Sequence, residues 1–374
     1  MHAKRIIIMY ISKVSGHRSA ALAIENAIRA ISSQVEVLSI DAFNYTNPSI
    51  AKFTNYLYMN VVSKAPKIWG YLYDNPKVVK GLERIKNFVH KFNSPKLKKL
   101  FDQFKPDVVI CTQAYPCGMV ADFKKIYHSS LPLVAVLTDF VPHSFWIYDN
   151  VDYYISPSKE VTKRLQAKGI PEERIKTFGI PFDNKFNLPV EKEAVFEKYG
   201  LNPKQPTLLI MGGGHGIGPL SSIVRSLEKV NQDIQEIVVT GVNTKLYRDV
   251  EKEITKCKKR VVLLGFVNNI HELMSISDII ITKPGGITTA EALTKKLPMI
   301  IIHPIPGQEA NNTAYLMQKE AAIKVDDLEK INLVVDDLLS HPEKLDSLRQ
   351  SSATISKPNS SLDIARLLLG INNA

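Results

Sequence analysis

Three short segments of this sequence place groups suited to anions and sugar hydroxyls directly after apolar runs. Gly212 to Pro219 reads GGGHGIGP. Such a loop gathers backbone N–H groups, and with the positive end of a following helix it can hold a diphosphate without a lysine. Gly213, Gly214 and His215 are its candidate ligand-facing residues. The G-x-G-x-x-G dinucleotide spacing is not met, since position 219 is proline, and no G-K-S/T follows to make a Walker loop. A tight strand-to-helix turn is the plainer use of the same glycines.

The second segment, Lys283 to Glu291, reads KPGGITTAE. Gly286 and the hydroxyls and N–H groups of Thr288 and Thr289 can face phosphate, while the Glu291 carboxylate can accept both hydroxyls of a ribose. Thr288 and Glu291 also have capping-box spacing, which is the structural alternative. The third segment, PIPGQEANN from Pro304, supplies Gln308, Glu309 and Asn312. Amides and carboxylates read sugar hydroxyls because each hydroxyl both donates and accepts; ordinary polarity at a helix start is the competing use.

Two further segments carry candidate bases. His17, in SGHRSAA from Ser15, stands where a first strand gives way to a first helix, and a neutral imidazole there could take the proton of an incoming hydroxyl. Thr138 to Trp146, TDFVPHSFW, supplies Asp139 and His143. Asp139 could orient an imidazole, act as a base itself, or cap the next helix.

The elements that must position these residues are legible in the apolar pattern. Ile6 to Ile11 is a β-branched run ending in a turn, and Ser19 to Ile31 then carries apolar residues at helical spacing. Leu208 to Met211, the glycine loop and a helix through Ile223, Val224 and Leu227 repeat the design. Further strands are expected at Val35–Ile40, Val108–Cys111, Leu133–Thr138 and Tyr153–Ile155, then at Glu236–Thr240, Val261–Leu264, Ile279–Thr282 and Met299–His303. Apolar on both faces and separated by helical stretches, they read as buried parallel strands of two α/β units. Prolines cluster between Pro181 and Pro206, so the domains are placed at 1–185 and 186–374. Ligands of open parallel sheets sit at the strands' carboxyl ends, and two such units facing each other would enclose a cleft.

The 374-residue chain has 48 Lys and Arg against 37 Asp and Glu, a net charge of +11 that seeks anionic partners. The segment from Phe43 to Tyr73 is rich in aromatics, Trp69 and Tyr71 among them. From Lys77 to Lys105, nine basic residues, including Lys96, Lys98 and Lys99, stand against only Glu83 and Asp102. Aromatic rings running into a basic helix suit an anionic lipid surface, each nearby cation contributing roughly 1 kcal/mol; a solvated basic helix above an aromatic core is the alternative. No nucleic-acid-binding signature accompanies the charge. The stretch Gln205–Val224, free of Asp, Glu, Lys and Arg, holds five glycines and two prolines and cannot be a spanning helix, so membrane contact is expected to be peripheral. Three cysteines without a CxxC pair point to a reducing compartment and away from a structural zinc site.

Taken together, SGHRSAALAI, the aromatic and basic insertion, TDFVPHSFW, DYYISPSKEV, GIPEERIKTFGIP, GGGHG, LLGFVNNIHELM, KPGGITTAEAL and PIPGQEANN, in this order, resemble the monogalactosyldiacylglycerol synthase and processive diacylglycerol glucosyltransferase family. The resemblance implies a GT-B fold, with an acceptor- and membrane-binding Rossmann-like domain facing a UDP-sugar-binding one, and a last helix near Leu362–Gly370 that crosses back. It also implies inverting transfer of glucose or galactose from a UDP-sugar to a diacylglycerol-type lipid, with no metal or other cofactor, on the cytoplasmic face of the cell membrane. On that footing Phe266 and Val267 lie by the uracil; Gly213, Gly214, Thr288 and Thr289 by the diphosphate; Glu291 by the ribose; Gln308 and Glu309 by the donor sugar. His17 is the leading base, with Asp139 its rival or partner. The sequence has no D-x-D metal pair, and loop amides plus a helix terminus could stabilise a leaving UDP instead. Lys13-Val14-Ser15-Gly16 and Gln113, where relatives often place histidine, depart from the family pattern on the acceptor side. A polyprenyl-linked or other lipid acceptor, and a UDP-N-acetylglucosamine 2-epimerase, are the alternatives.

Overall fold

The computed structural model of the chain describes residues 3–12, 14–46, 94–141 and 146–371. They divide into two compact units. The first comprises Met1–Asn184, Ile305–Gln308 and Asn359–Ala374, and the second comprises Lys185–Pro304 and Glu309–Pro358.

The first unit is built on β1 (Arg5–Tyr10), β2 (Glu36–Asp41), β3 (Val108–Cys111), β4 (Leu133–Val136), β5 (Tyr153–Ile155) and β6 (Ile175–Lys176). They form one parallel sheet in the order β2-β1-β3-β4-β5-β6. The strands β3 and β4 are wholly buried because helices cover both faces, which is why they read as unbroken apolar runs. The helix Gly16–Ile31 begins three residues earlier than its apolar pattern suggested. Ser15 caps it, accepting a hydrogen bond from Arg18 N, and so draws the polar residues Gly16 to Arg18 into the first turn.

That helix buries Ala21, Ile24, Ala27 and Ile28 against Ile364, Ala365 and Leu368 of the helix Ser360–Gly370. Lys4 Nζ secures the end of this last helix, donating to the carbonyl of Leu369 at 2.8 Å and to that of Ile371.

The second unit holds β7 (Thr207–Met211), β8 (Gln235–Val239), β9 (Arg260–Leu264), β10 (Ile279–Thr282), β11 (Met299–Ile302) and β12 (Ala322–Val325). This sheet is also parallel, in the order β12-β11-β10-β7-β8-β9. The expected strands occur in both units to within two residues at each end. The strands β6 and β12 were not anticipated; both are edge strands, one of two residues and one carrying the exposed Lys324, so neither shows a buried apolar run.

In each sheet the chain steps outward in one direction and then returns to build the other side. The reversal falls between β1 and β3 in the first unit and between β7 and β10 in the second. At such a point two loops leave neighbouring strands in opposite directions and open a crevice at the strands' carboxyl ends.

The packing of the last helix can be tested on its own. Leu368 is fully buried. Leu368→Ala should cost about 2–5 kcal/mol of stability, read as a lower denaturant midpoint; an unchanged midpoint would mean that this helix is not part of the first unit's core.

Candidate active site

In the second unit the glycine loop leaves β7 and packs onto the loop that leaves β8. The fit is close enough to require glycine at two positions. A Cβ on Gly216 would stand 1.9 Å from the Thr240 carbonyl oxygen, and one on Gly241 would stand 2.4 Å from that of Gly214. The loop's carbonyls are tied back by this packing: Gly214 O accepts from Val242 N at 3.1 Å, Gly216 O from Asn243 Nδ2 at 2.8 Å, and Gly213 O from Gly216 N at 3.0 Å. Among the described residues, no hydrogen bond uses the N–H of Gly213, Gly214 or His215 as donor. The carbonyls are spent and the amides remain, which is the chemistry of an anion cradle.

The neighbouring strand β10 runs into Lys283 and Pro284, and the helix Gly286–Thr294 follows. Its N-cap is Gly285, which makes no side-chain cap bond. The capping-box alternative therefore fails: Thr288 lies inside the first turn, not at the cap. The helix instead presents an uncapped amino end beside the glycine loop, with its positive dipole end outward. Thr289 is 1% exposed, and its buried hydroxyl has no hydrogen-bond partner. Gly286, Thr288 and Glu291 are half-buried around it.

The helix Gln308–Gln318, after β11, is fastened to this loop. The fully buried Asn312 donates from Nδ2 to the Pro284 carbonyl at 2.9 Å. Glu309 forms an ion pair with Lys283 at 3.5 Å, with side-chain exposures of 21% and 10%. Burial lowers the Lys283 ammonium pKa and the Glu309 carboxylate opposes the shift. The sequence reading missed Lys283 as a participant, although it stands at the carboxyl end of a buried strand. At the end of β9, Phe266 is 58% exposed and offers a flat apolar face, with Val267 half-buried beside it.

The first unit centres on His17, in the first turn of the helix after β1. Its Nδ1 lies 2.9 Å from the Thr112 carbonyl, just beyond β3, and 3.2 Å from Thr138 Oγ1, beyond β4. Thr112 Oγ1 donates in return to the His17 carbonyl at 2.8 Å. A carbonyl only accepts, so Nδ1 carries the hydrogen in the neutral ring and Nε2 keeps its lone pair, the form a general base needs. Desolvation pushes the His17 pKa down to about 4, against the Thr112 bond, which raises it. Asp139 is half-buried at the same strand end, but the groups that meet the His17 Nδ1 belong to threonines, and neither is a carboxylate. Gln113 caps the helix Ala114–Tyr127 through the Tyr115 N–H, which gives it a structural use. Thr112 and Thr138 escaped the sequence reading because one acts through its backbone and the other precedes the more conspicuous Asp139.

His143, Trp69 and Tyr71 lie outside the described residues. Residues 94–104 are helical, with Leu97, Leu100 and Phe101 buried and Lys96, Lys98 and Lys99 exposed. Lys96 donates to the Thr46 carbonyl, and Lys98 pairs with Asp102 at 2.6 Å, 6.0 Å from the centre of the Tyr127 ring. Among the described residues no helix is long and apolar enough to cross a membrane, and no three His, Cys, Asp or Glu side chains gather as a metal-holding group.

Two Rossmann-like units, each with polar groups gathered at the reversal point of its sheet, define the GT-B class of architecture. The glycosyltransferase of Rickettsia africae has this fold, with a TM-score of 0.59 and 18% identity over 99% of this chain and 100% of that one. So does the UDP-GlcNAc 2-epimerase of Neisseria meningitidis, solved with UDP-GlcNAc bound, with a TM-score of 0.64 and 13% identity over 98% and 100%. In sequence, residues 17–182 match the monogalactosyldiacylglycerol synthase family and residues 207–367 the glycosyltransferase family 28 C-terminal domain. The processive diacylglycerol beta-glucosyltransferase of Bacillus cereus is 31% identical over 370 residues, 99% of this chain and 94% of that protein. The chain belongs to this family of glycosyltransferases, as the ordered motifs implied.

The His17 environment has a measurable consequence. Its pKa in the folded protein, about 4, lies below the ordinary value of 6.5, so the unfolded chain binds more protons between those limits. The neutral ring thus favours the fold above pH 6.5, and that contribution is lost as the pH falls towards 4. Denaturant midpoints measured across this window should fall less steeply for His17→Gln than for the native protein; parallel curves would show that His17 titrates normally.

Proposed function

We propose that the chain is an inverting, metal-independent hexosyltransferase that moves glucose or galactose from a UDP-sugar to the hydroxyl of a diacylglycerol-type lipid at the cytoplasmic face of the membrane. The observation that carries this reading is the second unit's switch point. There, unspent amides of the β7 loop adjoin an uncapped helix with a buried, unpartnered Thr289 hydroxyl. Hydrogen bonds to charged groups contribute roughly 1.5–3 kcal/mol each, and a diphosphate fits such a set of donors better than a neutral ligand does.

On this reading Gly213, Gly214, His215, Gly286, Thr288 and Thr289 hold the diphosphate, and Glu291 accepts the ribose hydroxyls. Phe266 and Val267 flank the uracil. Gln308 and Glu309 take hydroxyls of the hexose, Glu309 under the influence of the Lys283 ammonium. His17 Nε2 removes the proton of the lipid hydroxyl as its oxygen bonds to the anomeric carbon. The bond from that carbon to phosphate breaks, and its electron pair leaves with UDP, whose charge the loop amides and helix terminus stabilise. Attack opposite the leaving group inverts the anomeric centre. Diacylglycerol as acceptor is supported by the relative's name and its near-complete overlap with this chain. A basic face at Lys98 and Lys99, exposed on the helix 94–104, supports an anionic membrane surface as partner.

Purified protein incubated with radiolabelled UDP-glucose or UDP-galactose and diacylglycerol vesicles should pass label into the organic phase from one donor, and Glu291→Gln should raise the donor KM about tenfold. No labelled lipid from either donor would overturn the proposal. In a separate sedimentation test, joint Lys98→Glu and Lys99→Glu exchange should weaken binding to vesicles containing anionic lipid, more so at low salt; undiminished binding would place the membrane face elsewhere.

A further inference from the structure

We propose that Thr138 is a positioning residue which, together with the backbone carbonyl of Thr112, locks His17 in the tautomer that leaves Nε2 free to accept a proton. The proposal rests on the reading of His17 as the base. It follows from the placement of three neighbouring strand ends. His17 follows β1, Thr112 follows β3 and Thr138 follows β4, and these strands are adjacent in the sheet. Both threonines are buried, at 0% and 4% exposure.

The two acceptors do different things. A hydroxyl alone would serve either tautomer, since it can turn to donate or to accept. The carbonyl at 2.9 Å breaks that tie, because with hydrogen on Nε2 the Nδ1 lone pair would face the carbonyl lone pairs. Thr138 Oγ1, at 3.2 Å, then accepts a share of the same N–H and fixes the plane of the ring. Thr112 adds a second hold, since its hydroxyl donates to the carbonyl of His17 itself at 2.8 Å. The residue is thus gripped at ring and backbone by groups that belong to the sheet.

The hold tightens when it is needed. Once Nε2 takes the proton of the acceptor hydroxyl, the ring is positive and Nδ1–H becomes a charged donor, whose hydrogen bonds are about twice as strong as neutral ones. Among the described residues no carboxylate shares this task with the two threonines.

Thr138→Val preserves shape and removes the acceptor; Thr138→Ser keeps the oxygen and removes the methyl. The valine variant should lose about five- to tenfold in kcat, the effect of one neutral hydrogen bond, with the donor KM unchanged, and the serine variant should recover most of that loss. Nitrogen NMR of histidine-labelled protein, with the His17 signals assigned by their disappearance in His17→Gln, should show hydrogen on Nδ1 in the native chain and, because the Thr112 carbonyl remains, in Thr138→Val as well. A valine variant within twofold of native kcat, a serine variant as slow as the valine one, or a native ring with hydrogen on Nε2 would each overturn the proposal. Full activity in His17→Ala would instead remove the base reading, and this proposal with it. An inactive His17→Ala beside a fully active Thr138→Val removes only the proposal.

Discussion

The reversal of strand order in each parallel sheet is the constraint on which the rest of this structure depends. Elsewhere along a parallel sheet, successive connections cross the same way and pack their loops against one another. Between β1 and β3, and between β7 and β10, the connections part, the arrangement that opens a crevice at the carboxyl ends of parallel strands. The candidate groups gather there: His17 and Thr112 at one point, the glycine loop and the helix Gly286–Thr294 at the other. The sheets' apolar interiors hold the strands in register, so a polar group at a strand's last residue inherits a position that a longer loop could not give it.

Within that frame, the second unit separates donors from acceptors along a short stretch of backbone. Close contact between the β7 and β8 loops, possible only with glycine at 216 and 241, draws carbonyl oxygens inward and leaves amides outward. The adjoining loop is braced from behind by Asn312 and by the Lys283–Glu309 ion pair. The first unit solves a different problem with similar means, using one backbone carbonyl and one hydroxyl to settle which nitrogen of His17 carries hydrogen.

How much of this the sequence disclosed depended on whether a feature is written in side chains. Buried strands were legible because both of their faces are apolar, while β6 and β12, at the sheet edges, left no such trace. Glycine runs and the KPGGITTAE segment marked the second unit's loops, and family resemblance supplied the order in which to read them. The capping box failed as an interpretation because its spacing recurs inside a helix that starts two residues earlier, at Gly286. The Thr112 contribution is a main-chain carbonyl, to which any residue type is equivalent, and the Lys283–Glu309 pair joins residues brought together only by the pairing of β10 with β11.

The last helix gives the fold a temporal order. Its apolar face completes the first unit, closing over Ala21, Ile24 and Ile28 of the helix after β1, yet in chain order it follows the whole second unit. At roughly 5–20 residues per second, that early helix waits tens of seconds for its partner while the whole second unit is made. During synthesis the first unit is therefore an unfinished body with an oily stripe uncovered.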